Sequence, residues 1–172
     1  GAEVTLVSKA GERRIAASEL FVDDGIQHLT RRPDEILATV HVPPPAGDEQ
    51  SVYLKLRRRG SFDFPVLGVA AWARFDAGER VSSARIFVGG TGSRPLEALA
   101  AAEFLVGKTL DEGTLEEAAR LVAHIAKPLQ NTDYSLGWRK AVASEYAARA
   151  LRDLRAPRAD GAPMKLSRAG VD

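Results

Sequence analysis

Residues 53–75 read YLKLRRRGSFDFPVLGVAAWARF. Val52, Leu54 and Leu56 alternate with Tyr53, Lys55 and Arg57, the period of two that marks a strand with one buried face. Lys55 therefore shares a face with Tyr53 and Arg57, opposite the apolar side. The next run, Val66 to Ala73, is unbroken in apolar character and reads as a fully buried strand that needs cover on at least one face. A cationic face beside a well-packed sheet suits an anionic or electron-rich ligand. The competing reading is a solvated edge strand, because rows of charge usually face water.

Working outward, the sequence predicts β structure before this stretch and α structure after it. Val4 to Val7 and Glu12 to Ile15 flank a hairpin turn at Ala10-Gly11, and Glu35 to Val42 forms a further strand. Pro43-Pro44-Pro45 stops that strand, since proline cannot donate to a ladder. Residues 17–33 are irregular, with a turn at Asp23-Asp24-Gly25. The strands at 51–59, 64–75 and 81–88 are expected to form an antiparallel meander, and Ser83, Arg85 and Phe87 give the last of them one wet face. Pro95 is placed at the first position of a helix that runs through Val106 and ends at Gly107. Thr114 and Glu117 read as the capping box of a second helix, closed before Pro128. A third helix runs from about Asp133 to Leu154 with a helical apolar stripe. Strands followed by helices define an α+β class.

Composition narrows the function. Lys and Arg number 24 against 23 Asp and Glu, so the net charge of +1 gives no global field for nucleic acid. The absence of cysteine excludes a disulfide framework, a thiol nucleophile and a thiolate-held cluster within this chain. No apolar run approaches the roughly 18 residues of a membrane span, and no signal-peptide pattern opens the chain, so a soluble cytoplasmic protein is expected. The opening Gly1-Ala2-Glu3 suggests a processed or partial polypeptide.

Each chemically suggestive cluster has a plainer explanation. Gly89-Gly90-Thr91-Gly92 lies between a strand and a helix, where a phosphate can rest on free N–H groups, yet it matches neither nucleotide-binding glycine pattern; a tight connection explains it as well. His28, His41 and His124 lack metal-ligand spacing, so no metal site is expected. Ser61 and Ser135 lack evident His and Asp partners, and Asp34-Glu35 reads as a turn. Residues 130–134, QNTDY, read as an N-cap. Trp138 with Arg139 suits either an inter-subunit contact or, for Trp138, burial among the helices.

Four segments now stand in order: DGIQHLTRRPDEILATVHVP, YLKLRRRGSFDFPVLGVAAWARF, ARIFVGGTGSRPLEALAAAEFLVGKTLDEGTLEEAARL and WRKAVASEYAARAL. Together they resemble the C-terminal half of the FAD-binding (medium or β) subunit of molybdenum hydroxylases. That family includes carbon monoxide dehydrogenase medium subunits, xanthine dehydrogenase flavin subunits and the 4-hydroxybenzoyl-CoA reductase β subunit. The resemblance implies that residues 1–45 finish an α/β FAD-binding lobe. It implies that residues 51–155 form the flavoprotein C-terminal domain, a three-stranded antiparallel sheet packed on a three-helix bundle. Residues 156–172, rich in Arg, Ala and Gly, are expected to form a disordered tail. The implied partners are an iron–sulfur small subunit, a molybdopterin-binding large subunit and the N-terminal FAD-binding half, with no nucleic acid and no membrane span.

The implied cofactor is FAD, shared with that N-terminal half, while molybdopterin and iron–sulfur clusters sit in partner subunits. The flavin exchanges electrons with the clusters, and the substrate is selected at the molybdenum centre in another polypeptide. Two positions carry over as cofactor-binding residues: Lys55, matching the family lysine on the sheet beside the flavin, and Leu37, matching a residue that packs on the ring system. No catalytic residue is implied within this chain, and the glycine-rich pyrophosphate loops of the family lie in the N-terminal half. The alternative is an interaction module that keeps the fold for docking without flavin.

Overall fold

A computed structural model describes residues 1–59, 63–128, 134–155 and 166–167. The chain divides into two compact units, Gly1–Ala46 and Gly47–Asp172. The division follows the three prolines at 43–45, which lie in irregular backbone.

In the first unit, β1 (Glu3–Ser8) and β2 (Gly11–Ala16) form an antiparallel hairpin, and β3 (Ile36–His41) pairs antiparallel with the other side of β1. Gly11 closes the hairpin turn at φ 131°, a conformation that glycine adopts without a Cβ penalty. Val4, Leu6 and Leu20 make a small core, joined by Ile15 and Leu29. The stretch expected to be irregular contains one 3-10 turn, Ala17–Leu20, and an isolated bridge between Phe21 and Leu29.

The second unit holds the expected meander. β4 (Glu49–Leu56), β5 (Leu67–Phe75) and β6 (Val81–Gly89) pair antiparallel in that order. Alternation does what the sequence requires: Val52, Leu54 and Leu56 are buried, while Tyr53 and Lys55 are half-buried. β5 departs from the fully buried reading. Leu67, Val69, Ala71 and Ala73 are buried on one face, but Ala70 and Trp72 on the other are only half-covered. Three helices, α1 (Leu99–Leu105), α2 (Glu112–Ile125) and α3 (Leu136–Arg155), supply the cover. The core joins Val69, Ile86 and Val88 of the sheet to Leu105, Leu115 and Leu151 of the helices.

Details at the element ends differ from the sequence reading. Pro95 does not open α1. Leu96–Glu97 instead forms a short strand, β7, against β6, and Ala98 N–H donates to the Ile86 carbonyl at 2.8 Å before the helix begins. The Arg85 guanidinium grips the Glu97 carboxylate through two bonds of 2.7 and 3.1 Å, which keeps this segment in the sheet. The cap of α2 is Asp111, whose carboxylate accepts from Thr114 N–H at 2.9 Å; Glu117 pairs with Arg120. A charged acceptor at the positive end of the helix displaces the expected threonine, and the Thr114 N–H bond holds the Asp111 carboxyl below its usual range. α3 is capped by Ser135, whose hydroxyl accepts from Trp138 N–H at 3.3 Å.

Leu166–Ser167 form β8, parallel to β4, and complete the order β7-β6-β5-β4-β8. The remainder of the expected tail at 156–172, Ser61 and residues 130–133 of the expected cap lie outside the described residues. Among the described residues no helix is long and apolar enough to cross a membrane.

The joint core makes one clear demand. Leu151→Ala removes a fully buried side chain where α3 meets the sheet, and is expected to destabilise the second unit by about 2–5 kcal/mol in urea unfolding. A loss below about 1 kcal/mol would show that α3 does not close this core.

Candidate functional site

The open face of the second sheet is set by its register. Lys55, Gly68 and Gly89 lie side by side across β4, β5 and β6; Tyr53, Ala70 and Phe87 form the next row, and Ser51, Trp72 and Arg85 the one after. Cross-strand partners project to the same side, so this face carries a lysine beside two glycines, with aromatic side chains further along. Gly68 has a specific reason to be glycine: a Cβ there would lie 2.9 Å from the Tyr53 hydroxyl and 3.2 Å from its ring. The Tyr53 ring thus covers Gly68 beside the cation, while Gly89 at the far end of the row has nothing within 4 Å of a would-be Cβ. Arg85 lies over the Phe87 ring at 4.9 Å, a cation–π contact at the border of the face.

Lys55 is half-buried, and its Nζ donates to the Asp63 carbonyl at 2.6 Å. The Asp63 carboxylate is engaged elsewhere: it accepts from Arg59 Nη2 at 3.3 Å, Arg59 N–H at 3.1 Å and Phe64 N–H at 2.9 Å. The Arg59 side chain foremost holds that carboxyl below its usual range. A main-chain dipole thus anchors the Lys55 ammonium without cancelling its charge.

Leu37 belongs to the first unit. It lies on β3 opposite Leu6 and is 38% exposed. Its neighbours Ile36, Val40 and Val42 are also exposed, so this edge strand shows apolar side chains to solvent. Just before it stands a group that the turn reading underrated. Pro33-Asp34 does turn, but Glu35 is 1% exposed and serves as a hub. Its carboxylate accepts from Arg13 Nε and Nη2 at 2.7 and 3.0 Å, and from Arg32 N–H and Nε at 2.7 and 3.1 Å. Arg31 donates to its carbonyl. These bonds, the Arg13 side chain first, lower the Glu35 pKa from 4.5 to about 2. The signal available in the sequence was a carboxylate three and four residues after Arg32 and Arg31, ahead of an apolar strand.

Other candidates resolve into structure. Gly90 adopts φ 78°, and its would-be Cβ lies 3.1 Å from the Val66 carbonyl, so this glycine serves close backbone packing. Trp138 does not enter the helix core; it stacks on Tyr134 at 4.1 Å and is 38% exposed, while its neighbour Arg139 is buried. A cleft of about 620 Å³ is lined by Asp48, Asp76, Glu79 and Asp111. Four carboxylates repel a phosphate-bearing ligand, so this cleft does not suit a dinucleotide.

The CO dehydrogenase flavoprotein C-terminal domain family matches residues 51–154. The chain is 30% identical over 151 residues to the alpha subunit of the 6-hydroxypseudooxynicotine dehydrogenase complex of Paenarthrobacter nicotinovorans, covering 87% of this chain and 50% of that protein. It is 27% identical to xanthine dehydrogenase/oxidase of Gallus gallus, covering 72% of this chain and 9% of that protein. The crystal structure of a copper–molybdenum CO dehydrogenase in its cyanide-inactivated form superposes with a TM-score of 0.80 at 26% identity, covering 90% of this chain and 53% of the matched chain. This chain therefore spans about half or less of the length of the relatives it matches.

The Glu35 hub predicts a pH signature. A folded pKa of about 2 against an ordinary 4.5 means that the stabilisation is complete above the ordinary value and is lost as pH falls from 4.5 towards 2. Glu35→Gln should lower the melting temperature near neutral pH, and its gap from the unmodified protein should close across that window. A gap of constant size from pH 6 to pH 2 would rule out an ionised hub.

Proposed function

Because the chain belongs to the CO dehydrogenase flavoprotein C-terminal domain family, we propose that it helps seat the FAD of a molybdenum-hydroxylase-type oxidoreductase in the cytoplasm. The observation that carries this reading is the half-buried Lys55 ammonium, held by a main-chain carbonyl in the row Lys55–Gly68–Gly89 on the sheet face opposite the core. FAD when bound supplies the electron exchange between iron–sulfur clusters and an external acceptor. The residues present fit part of that group. Lys55 offers a cation where negative charge develops on a reduced ring, and Leu37 offers an apolar surface. Gly90 is committed to close backbone packing and the run matches neither nucleotide-binding glycine pattern, so the pyrophosphate is assigned to loops of the N-terminal half.

The same reading accounts for the apolar side chains of β3. Leu37 and Val40, paired with Leu6 and Val4, share one face of β3 and are exposed, an apolar surface of the kind that further protein covers, and the N-terminal FAD-binding half is the proposed cover. An iron–sulfur subunit and a molybdopterin subunit complete the assembly. The relative from Paenarthrobacter nicotinovorans is itself a subunit of a dehydrogenase complex. This chain contributes placement and charge, and the substrate is chosen in another subunit.

Two experiments test the assignment. FAD titrated into the isolated chain, followed by flavin fluorescence, should show weak binding or none; stoichiometric binding at sub-micromolar concentration would show that the affinity resides here. In the complete complex, Lys55→Met should lower the flavin reduction potential and slow turnover. Its stability cost should stay within about 1 kcal/mol, because the change removes one hydrogen bond and leaves the Val52, Leu54 and Leu56 face intact. An unchanged potential and turnover would return Lys55 to the solvated-strand reading.

A further inference from the structure

We propose that Arg139 is the positioning residue for Lys55, acting through the Val66 and Gly90 carbonyls at the end of the sheet. The proposal rests on the flavin-seat reading for its functional meaning, though not for its geometry.

Arg139 sits in the first turn of α3 and is only 7% exposed. Its Nη2 donates to the Val66 carbonyl at 3.1 Å and to the Gly90 carbonyl at 2.8 Å. Burying a guanidinium is costly unless its hydrogen bonds are well met. Here it draws two carbonyl oxygens to one nitrogen, and their negative dipole ends repel each other without a cation between them. Gly90 permits the approach, since any Cβ there would crowd the Val66 and Pro65 carbonyls.

The two carbonyls bracket the row that contains Lys55. Val66 lies two residues before Gly68, and Gly90 directly follows Gly89, the two glycines aligned with Lys55. Val66 N–H donates to the Leu56 carbonyl at 2.9 Å, closing the connection between β4 and β5 immediately after Lys55. Three residues before Val66 stands Asp63, whose carbonyl holds the Lys55 ammonium at 2.6 Å. A short path therefore runs from Arg139 to Val66, then to Asp63 along the chain and to Leu56 across the strands, and both branches end at Lys55. Leucine or methionine at 139 would fill the volume but leave both carbonyls without their cation. The position is thus set by polar geometry and not by packing.

The first test needs no cofactor. Lysine acylation by acetic anhydride, quantified by peptide mapping of the isolated full chain, reads how firmly the Lys55 amine is held. Lys9, exposed in the hairpin turn of the first unit, is the internal reference. Arg139→Met should raise the Lys55-to-Lys9 acylation ratio about three- to tenfold, the scale of losing one anchoring hydrogen bond. Arg139→Lys, which keeps a cation but loses the planar fork, should give an intermediate ratio and serves if the methionine variant fails to fold. An unchanged ratio in a folded variant overturns the proposal, because a merely structural arginine would lower the melting temperature without selecting Lys55.

The second test is the flavin reduction potential of the complete complex. Arg139→Met should shift it in the same direction as Lys55→Met and add nothing on top of Lys55→Met, since the two act through one group. Fully additive shifts overturn the coupling. If the acylation ratio rises while Lys55→Met leaves the potential unchanged, the positioning role stands and the flavin-seat reading is the one that fails.

Discussion

The burial of one face of β4, β5 and β6 under three helices is the constraint on which the second unit depends. Val52, Leu54, Leu56, Val69, Ala71, Ile86 and Val88 all enter the same core. A strand has a side-chain period of two, so a one-residue slip would expose that whole set. The same arithmetic decides the site. Once those residues are committed to the core, Tyr53, Lys55, Gly68, Trp72, Arg85 and Phe87 have only the other face to occupy. The candidate site is a geometric by-product of the core, and the core can vary in its hydrophobic detail without moving Lys55.

This explains which parts of the molecule were legible in the sequence. Long periodic elements were readable because their pattern repeats: the alternation around Lys55 and the apolar stripe of α3 each offer several residues in agreement. Short elements were not. β7 is two residues long, and nothing in Leu96-Glu97 distinguishes the start of a helix from a strand; the Arg85–Glu97 pair decides it, across 12 positions of sequence. Similarly, Asp111 and Thr114 are both good caps, and only the backbone geometry selects the aspartate. β8 depends on a parallel partner more than a hundred residues away, a relation that no local pattern encodes.

The site shows the same division. Lys55 was placed on the open face by periodicity alone, but its anchor, the Asp63 carbonyl, is a main-chain atom and leaves no signature in residue type. In the sequence, the aromatic neighbour of Arg139 points to a surface contact. The structure exchanges their roles: Trp138 stacks on Tyr134 at the surface, and Arg139 goes inside. Glu35 was read as one half of a turn, because three-dimensional convergence of Arg13 upon it links positions 22 residues apart.

Two ways of holding a cation stand out among the described residues, and the difference bears on function. Arg13 and Arg32 meet Glu35, Arg59 meets Asp63, and Arg85 meets Glu97. Each of these pairs satisfies a carboxylate, much of the local field is cancelled, and the result is a clamp. Lys55 instead donates to a carbonyl oxygen. A carbonyl fixes a cation in position but carries no net charge, so the field of that cation survives. Where a structure must hold a positive charge ready for a charge that develops elsewhere, carbonyl anchoring is the arrangement that does so. The compact ammonium of Lys55 suits the open face, where its charge is concentrated at one point. The planar fork of Arg139 suits the interior, where two fixed acceptors must be reached at once. On the function proposed above, the carbonyl-held ammonium of Lys55 is what the row Lys55–Gly68–Gly89 contributes to the flavin seat.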